Sequence, residues 1–312
     1  MPTTADPAII LAKLRGIVLL GGTVRPTGLS AAIGRSILEL PIAAGRSLLD
    51  LWCDQAAQLA RLAGRPLIVR VLIDKSVQQK PNSPAEYPQI DLQVHTDPFE
   101  LRGTGGILKD ATNDFSDDDY LLVAAANQIV SEPLARAAES LASLGGDVNI
   151  IAHEEGQPSN VMLLRRGVLK GIPDIGFADL KEQAMPAIAK SHSVQVKFYP
   201  QAIGMPVRAL KDYIQAVRWY HRSLKHDPQS ADPFAEDCVA TFSIVEEGAT
   251  MANNAQAMDS IVLAGAKVGR NASVVRSVIC PGATVPDHAM VMDQVISIDS
   301  PRTAFRRQQV KA

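Results

Sequence analysis

The sequence predicts an α/β protein: a doubly wound, mixed but mostly parallel sheet, followed by a short parallel β-helix. Three observations carry that expectation. Short aliphatic runs alternate with amphipathic helical segments over residues 1–225. Aromatic residues make up only 4 % of the 312 residues, so the core is aliphatic, as suits parallel strands covered on both faces. From Gly248 to Ile296 the chain repeats itself every 17 residues.

Residues 1–15 read as a short capped helix or an arm. Gly16 to Leu20 is a buried-type strand that runs into Gly21-Gly22. Residues 23–46 lack periodicity and read as a long loop. Leu48 to Ala63 places Leu48, Leu49, Trp52, Ala56, Leu59 and Leu62 at helical spacing, and Gly64 and Pro66 end it. Leu67–Ile73 is a second strand. Lys80–Pro88, with three prolines, is a loop, and Ile90–Val94 alternates as a third strand. Gly103-Thr104-Gly105-Gly106 opens a helix. Tyr120–Ala126 and Val148–Ala152 are further strands, with a helix over Pro133–Leu144 between them. Phe177–Met185 and Val207–Leu224 read as helices, the first stopped at Pro186. His226–Asp237 is polar, carries two prolines and reads as a linker at 226–237. The β-helix then spans 238–300 and a tail 301–312.

Three sets of positions keep the 17-residue period. They are Gly248, Gly265 and Gly282; Asn254, Asn271 and His288; and the aliphatic pairs Ile261-Val262, Val278-Ile279 and Val295-Ile296. Gly and Asn suit sharp corners where φ turns positive. The alanines at 249, 255, 266, 272, 283 and 289 suit inward positions with little room. One coil cannot bury its own aliphatic face, whereas stacked coils bury it between them. His288 falls in register with two asparagines, so it reads as a third corner residue rather than a catalytic base.

The net charge of −2 gives no basic footprint for nucleic acid. Cys53, Cys238 and Cys280 are odd in number and far apart, which points to a reducing compartment without a disulfide framework. The most apolar early stretch, Ile17–Leu20, is too short to span a membrane. The expectation is a soluble cytoplasmic protein with no nucleic-acid or membrane partner. Asp117-Asp118-Asp119 reads as a solvated charge run and His153-Glu154-Glu155 as a solvated loop. Arg218, His221, Arg222, Lys225 and His226 read as cations at a helix carboxyl end, with a small anion patch as the other possibility.

Two glycine motifs have the composition of ligand-binding turns. Gly21-Gly22 follows a strand, where ligands of open α/β sheets sit. Gly103-Thr104-Gly105-Gly106 starts a helix, where unpaired N–H groups accept an anion or a flat ring. Together with Leu40-Pro41-Ile42-Ala43-Ala44-Gly45-Arg46-Ser47-Leu48-Leu49-Asp50 and the repeat tail, their order resembles a sugar-1-phosphate nucleotidyltransferase (nucleotide-sugar pyrophosphorylase) with a C-terminal left-handed β-helix. The resemblance covers about residues 16–297. It implies a Mg²⁺-dependent reaction in which a nucleoside triphosphate and a sugar 1-phosphate give a nucleotide sugar and pyrophosphate. It also implies base and ribose contacts at Gly21, Gly22, Gly103, Thr104 and Gly105, Arg25 as the charge-stabilising catalytic residue, and a homo-oligomer assembled through the β-helix.

The chain departs from the family pattern at the charged positions. Ser36-Ile37 stands where the family has Pro-Lys, leaving Arg25 and Arg35 as the nearby guanidinium groups. Asn127 stands where the family has a metal-binding Asp, and Pro206 where it has the second carboxylate, if Asp212-Tyr213 is matched. Mg²⁺ requires hard anionic oxygen ligands. Asp174 superficially resembles the missing acid but lies about thirty residues early, and reads as a turn or cap residue. Two functions stay open: the transferase, or a non-catalytic nucleotide- or nucleotide-sugar-binding regulatory protein that has lost the metal. A third is an assembly protein built on the β-helix.

Overall fold

The structure, a computed structural model, describes residues 6–21, 28–73, 87–96, 102–153, 158–200, 202–224, 242–301 and 305–307. It divides into two compact units. The first comprises Met1–Pro26 and Leu49–Gly204, the second Thr27–Leu48 and Met205–Ala312. These units do not follow the linear division at residue 225, for reasons seen in the second unit below.

The first unit is a seven-stranded sheet. Its strands are β1 (Leu14–Leu20), β2 (Leu67–Ile73), β3 (Ile90–Thr96), β4 (Tyr120–Ala125), β5 (Val148–His153), β6 (Pro158–Arg165) and β7 (Val194–Tyr199), in the order β7-β5-β6-β4-β1-β2-β3. Only β6 is antiparallel to its neighbours; every other pairing is parallel. The mostly parallel α/β sheet expected from the sequence is therefore present. Sequence pattern missed β6 and β7. β6 holds the buried run Val161-Met162-Leu163-Leu164 and β7 an exposed alternation, so both carry a strand signal in sequence.

The helices of this unit include α1 (Pro7–Ala12), α2 (Leu48–Ala63), α3 (Gly103–Asp110) and α4 (Leu134–Ala142). Asp6 caps α1 by accepting from Ala8 N–H at 2.9 Å, and Pro7 sits where a missing N–H costs nothing. The helix expected over Phe177–Met185 is instead a wide π-type turn, Leu180–Ala184, running into a short helix, Met185–Ile188. Pro186 does not stop it. It occupies the first turn of that second segment, where no intrahelical donor is needed. One face of the sheet, with Val18, Leu72, Leu121, Val123, Met162 and Leu164, packs on these elements through Leu108, Leu180 and Ile188.

In the second unit the segment 28–47 forms defined elements, against the loop expected over 23–46. It holds a helix (Gly28–Ile33), a 3₁₀ turn (Ile37–Glu39) and a hairpin of Pro41–Ala43 with Arg46–Ser47. The missed signal is a capping box: Ser36 Oγ accepts from Leu38 N–H, and Glu39 accepts from Ser36 N–H. Leu29, Ile33, Ile37, Leu38, Leu40 and Ile42 are all buried. The long helix α5 runs from Leu210 to Leu224. Tyr213 on α5 donates its hydroxyl proton to Pro41 O at 2.5 Å, and Arg218 pairs with Asp259 of the first coil at 2.7 Å. These bonds explain why α5 and residues 28–47 belong with the tail. The linker at 226–237 lies outside the described residues.

The tail forms three parallel sheets. Ser243–Val245, Ser260–Val262, Val278–Ile279 and Val295–Ile296 make one. Thr250–Met251, Lys267–Val268 and Thr284–Val285 make the second. Gln256–Met258, Ser273–Val275 and Ala289–Met292 make the third, closed by Arg306–Arg307 running antiparallel. Partners are 17 residues apart throughout, as in Ile261↔Val278. The chain visits the sheets in turn, which is the connectivity of a parallel β-helix. Val262, Ala266, Val268, Ala272, Val274 and Ile279 fill its interior.

Each coil has three left-handed corners. Gly248, Gly265 and Gly282 take φ of 86, 81 and 75°; Asn254, Asn271 and His288 take 59, 53 and 60°; Asp259, Arg276 and Asp293 take 46, 44 and 55°. The first two sets were legible from composition, and His288 is indeed a corner residue. The third was not, because Arg276 is a poor left-handed residue; its guanidinium is held by Asp293 at 2.7 Å. His288→Val is expected to lower stability by about 1–2 kcal/mol, since a β-branched residue resists positive φ. His288→Asn is expected to stay within about 0.5 kcal/mol of the parent. Urea melts of both variants check this.

Burial, with Glu246 nearby, pushes the Tyr213 phenol well above its ordinary value of 10.0. A raised pKa means the fold holds the proton more tightly than the unfolded chain does. The stabilisation is complete below the unfolded value and is lost as pH rises above it. Tyr213→Phe leaves the Pro41 carbonyl unpaired and is expected to cost about 1–2 kcal/mol at pH 7. It is also expected to remove part of the alkaline destabilisation, which thermal melts between neutral pH and about pH 11 would read.

Candidate functional site

The carboxyl edge of the sheet is built by adjacent parallel strands. Leu20 of β1 pairs with Ala125 of β4 and Leu72 of β2. Beyond them Gly21 N–H donates to Leu72 O at 2.8 Å and Ala126 N–H to Leu20 O at 2.9 Å. Gly21 therefore stands beside Ala126, and half-buried Asn127 follows at once. The structure thus brings two of the sequence-predicted positions together at the end of the sheet where an open α/β fold receives ligands. Gly22 and Arg25 lie outside the described residues.

Trp52 of α2 holds this edge from beneath. It is 1 % exposed, and its indole N–H donates to Ala126 O at 3.0 Å. The sequence reading placed Trp52 on a core face of a helix but gave no hint of this bond. Gln128, next in the chain, is 4 % exposed, and its Nε2 has no hydrogen-bond partner among the described residues.

The second glycine motif is arranged differently from the expectation. Gly103 takes φ +68°, and a Cβ there would lie 2.6 Å from Ala178 O. The N–H groups of Gly105 and Gly106 both donate to that same carbonyl, at 2.9 and 3.3 Å. Thr104 Oγ accepts from Leu180 N–H at 2.9 Å and donates to Asp179 Oδ2 at 3.2 Å. Two of the helix-start donors are thus already taken, and the small residues let the segment 178–180 approach. Asp179 caps that segment, accepting from Lys181 and Glu182 N–H. Burial pulls the Asp179 carboxyl up, but those donors and Thr104 together hold it below its ordinary range. An Asp followed three residues on by Glu182 is the helix-start signal in the sequence that could have found it.

Arg102 fixes the same region. Only 6 % exposed, it pairs with Asp110 at 2.8 and 2.9 Å and donates to the carbonyls of Pro173 and Gly176. Asp174 beside it is 87 % exposed at the side chain and pairs with Lys109 at 2.7 Å. It lies in a bend, as the turn reading expected, and Lys109 holds its carboxyl below the ordinary range.

The remaining sequence-marked residues are structural. Ile37 is 4 % exposed in its 3₁₀ turn, and Arg35 is bound by Glu246 at 2.9 Å. Arg218 is paired with Asp259, and His221 bonds Ile42 O at 2.9 Å and stacks on Phe242, so these two described cations are held by the fold rather than left for an anion. Lys225 and His226 are outside the described residues, as are Glu154 and Glu155; His153 ends β5. The acidic run is not merely solvated. Asp117 pairs with Arg166 at 2.8 Å and with Lys170, and Asp118 with Arg165 at 3.4 Å. The solvated reading failed because three cations arrive from the distant 165–170 segment.

Among the described residues, those weighed as metal ligands from the sequence do not fit a divalent ion. Asn127 offers one neutral oxygen where a carboxylate is expected, Asp174 is neutralised by Lys109, and Asp179 is occupied by three donors. Among the described residues no group of three His, Cys, Asp or Glu side chains converges. Nor, among them, is any helix long and apolar enough to cross a membrane.

No protein-family model and no curated protein matches the chain. Among solved structures it is similar to HddC from Yersinia pseudotuberculosis, with a TM-score of 0.47 and 14 % identity over 66 % of this chain and all of that one. A likeness of that size carries no argument about activity.

Proposed function

We propose that the protein is a sugar-1-phosphate nucleotidyltransferase-like protein that binds a nucleotide or nucleotide sugar without carrying out metal-dependent transfer. The observation that carries this reading is the edge where Gly21 and Asn127 meet. A glycine there leaves room for a base or phosphate against the backbone, and the neutral amide supplies a hydrogen-bonding group without charge. The motif order and the β-helix tail, left-handed by resemblance, support the family reading. Ile37, buried in its own unit's core, is not a phosphate-neutralising group, which argues against transfer.

The second reading is the active enzyme, NTP plus sugar 1-phosphate to nucleotide sugar plus pyrophosphate with Mg²⁺. It rests on the same resemblance and on Arg25 as charge stabiliser. Calorimetry with nucleoside triphosphates and nucleotide sugars, with and without Mg²⁺, tests the first. The expected result is binding that Mg²⁺ leaves unchanged, with no pyrophosphate released on adding sugar 1-phosphates. Release of pyrophosphate would establish the second reading; absence of any binding would sink both and leave an assembly protein.

A further inference from the structure

We propose that β7 is a self-pairing edge, through which two copies of the chain join their sheets antiparallel about a two-fold axis centred on Val196. This goes beyond the nucleotide reading and does not depend on it.

β7 is the outermost strand on its side of the sheet, and among the described residues nothing pairs with its outer edge. Its register with β5 runs unbroken over all six residues, Val194↔Val148 to Tyr199↔His153. Edges are normally blunted by proline, a bulge or inward-pointing charge. This strand, Val-Gln-Val-Lys-Phe-Tyr, has neither proline nor bulge, and its one charge lies on the face opposite the apolar residues.

The backbone phase is defined. Val148 N–H donates to Ser193 O at 3.0 Å. A parallel ladder alternates, so Gln195, Lys197 and Tyr199 turn their backbone groups to β5, while Val194, Val196 and Phe198 turn theirs outward. The same three side chains share one face. Val194 packs on the cluster that includes Ala184 and Ile188, but Val196 and Phe198 are 43 % and 62 % exposed.

Two-fold antiparallel pairing about an axis through the sheet requires a residue to face its own counterpart. Centred on Val196, the outward groups of Val194, Val196 and Phe198 all meet outward groups of the other copy. Phe198 then lies opposite Val194, extending the apolar face across the junction, and Lys197 lies opposite Gln195. Centred on Lys197, the two ammonium groups would face each other, and like charges directly opposite are unfavourable. The strand therefore favours one register with itself, which is why a second copy is the occupant rather than an arbitrary peptide.

Sedimentation of the full chain tests this. The expected result is a dimer, or a larger even assembly, at roughly 100 µM. Val196→Pro removes an outward N–H without touching the bonds to β5 and is expected to weaken the junction roughly a hundredfold, halving the mass. Should Val196→Pro fail to give a parent-like melt, Val196→Lys places two charges face to face with the backbone intact, and the same loss is expected. Gln195→Cys with Lys197→Cys, in a Cys238→Ser background, is expected to cross-link copies under mild oxidation. A monomeric parent chain overturns the proposal. So does an assembly whose mass neither substitution changes, which would assign assembly to another surface such as the β-helix.

Discussion

Trp52→Ala is expected to destabilise the first unit by about 4 kcal/mol, a large fraction of the roughly 5–15 kcal/mol of an ordinary domain. Trp52 is among the largest fully buried side chains, and its removal leaves a cavity beneath the sheet edge. It also leaves Ala126 O without its donor. Trp52→Phe separates these effects, keeping most of the volume while deleting the bond, and is expected to cost about 2 kcal/mol. Urea denaturation followed by circular dichroism measures both. A Trp52→Phe variant as stable as the parent would show that the Ala126 carbonyl finds another donor. Because that carbonyl precedes Asn127 directly, Trp52→Phe is also expected to weaken the proposed nucleotide binding without touching Gly21 or Asn127.

Gly103→Ala is the second large effect, about 3 kcal/mol. Two costs combine. A left-handed φ of +68° disfavours any residue with a Cβ by about 1–2 kcal/mol. The new methyl would also lie 2.6 Å from Ala178 O, a backbone atom that cannot swing aside as a flexible side chain can. Moving it disturbs the two bonds that Gly105 and Gly106 donate to the same oxygen, a further cost of about 1–3 kcal/mol. Gly106→Ala makes the instructive contrast: its methyl would meet the Arg102 guanidinium at 3.0 Å but at an ordinary helical φ. Differential scanning calorimetry of the two variants is expected to rank Gly103→Ala as clearly the worse.

Where sequence reading succeeded and where it failed has a common physical cause. α2 and β2 were delimited correctly because each buries a face whose period is visible locally: Leu48, Leu49, Trp52, Ala56 and Leu59 on the helix, and an unbroken aliphatic run on the strand. β7 does alternate, with Val194, Val196 and Phe198 set against Gln195 and Lys197, so its strand signal was legible and only its exposure sets it apart from the buried runs. The 28–47 segment was invisible because its turns are held by Ser36, Glu39 and the α5 hydroxyl of Tyr213, and the last of these lies far away in sequence. The candidate site divides the same way. Composition picked out both glycine motifs. It could not tell that Gly103, Gly105 and Gly106 serve one carbonyl supplied by Ala178, because the identity of a close neighbour is not written in the glycines. Nor could it tell that Lys109 already neutralises Asp174.

The regularity of the β-helix corners has a further consequence. Every coil begins and ends in the same backbone state, so positions 17 residues apart are interchangeable as splice points. The tail is therefore modular in length. Duplicating or excising one 17-residue unit moves the end of the stack by about 4.8 Å while leaving both junctions geometrically identical to those already present. Such a segment can grow or shrink by recombination in whole coils without passing through a misfolded intermediate length, and that makes its length a trait that can drift independently of the sheet domain that precedes it.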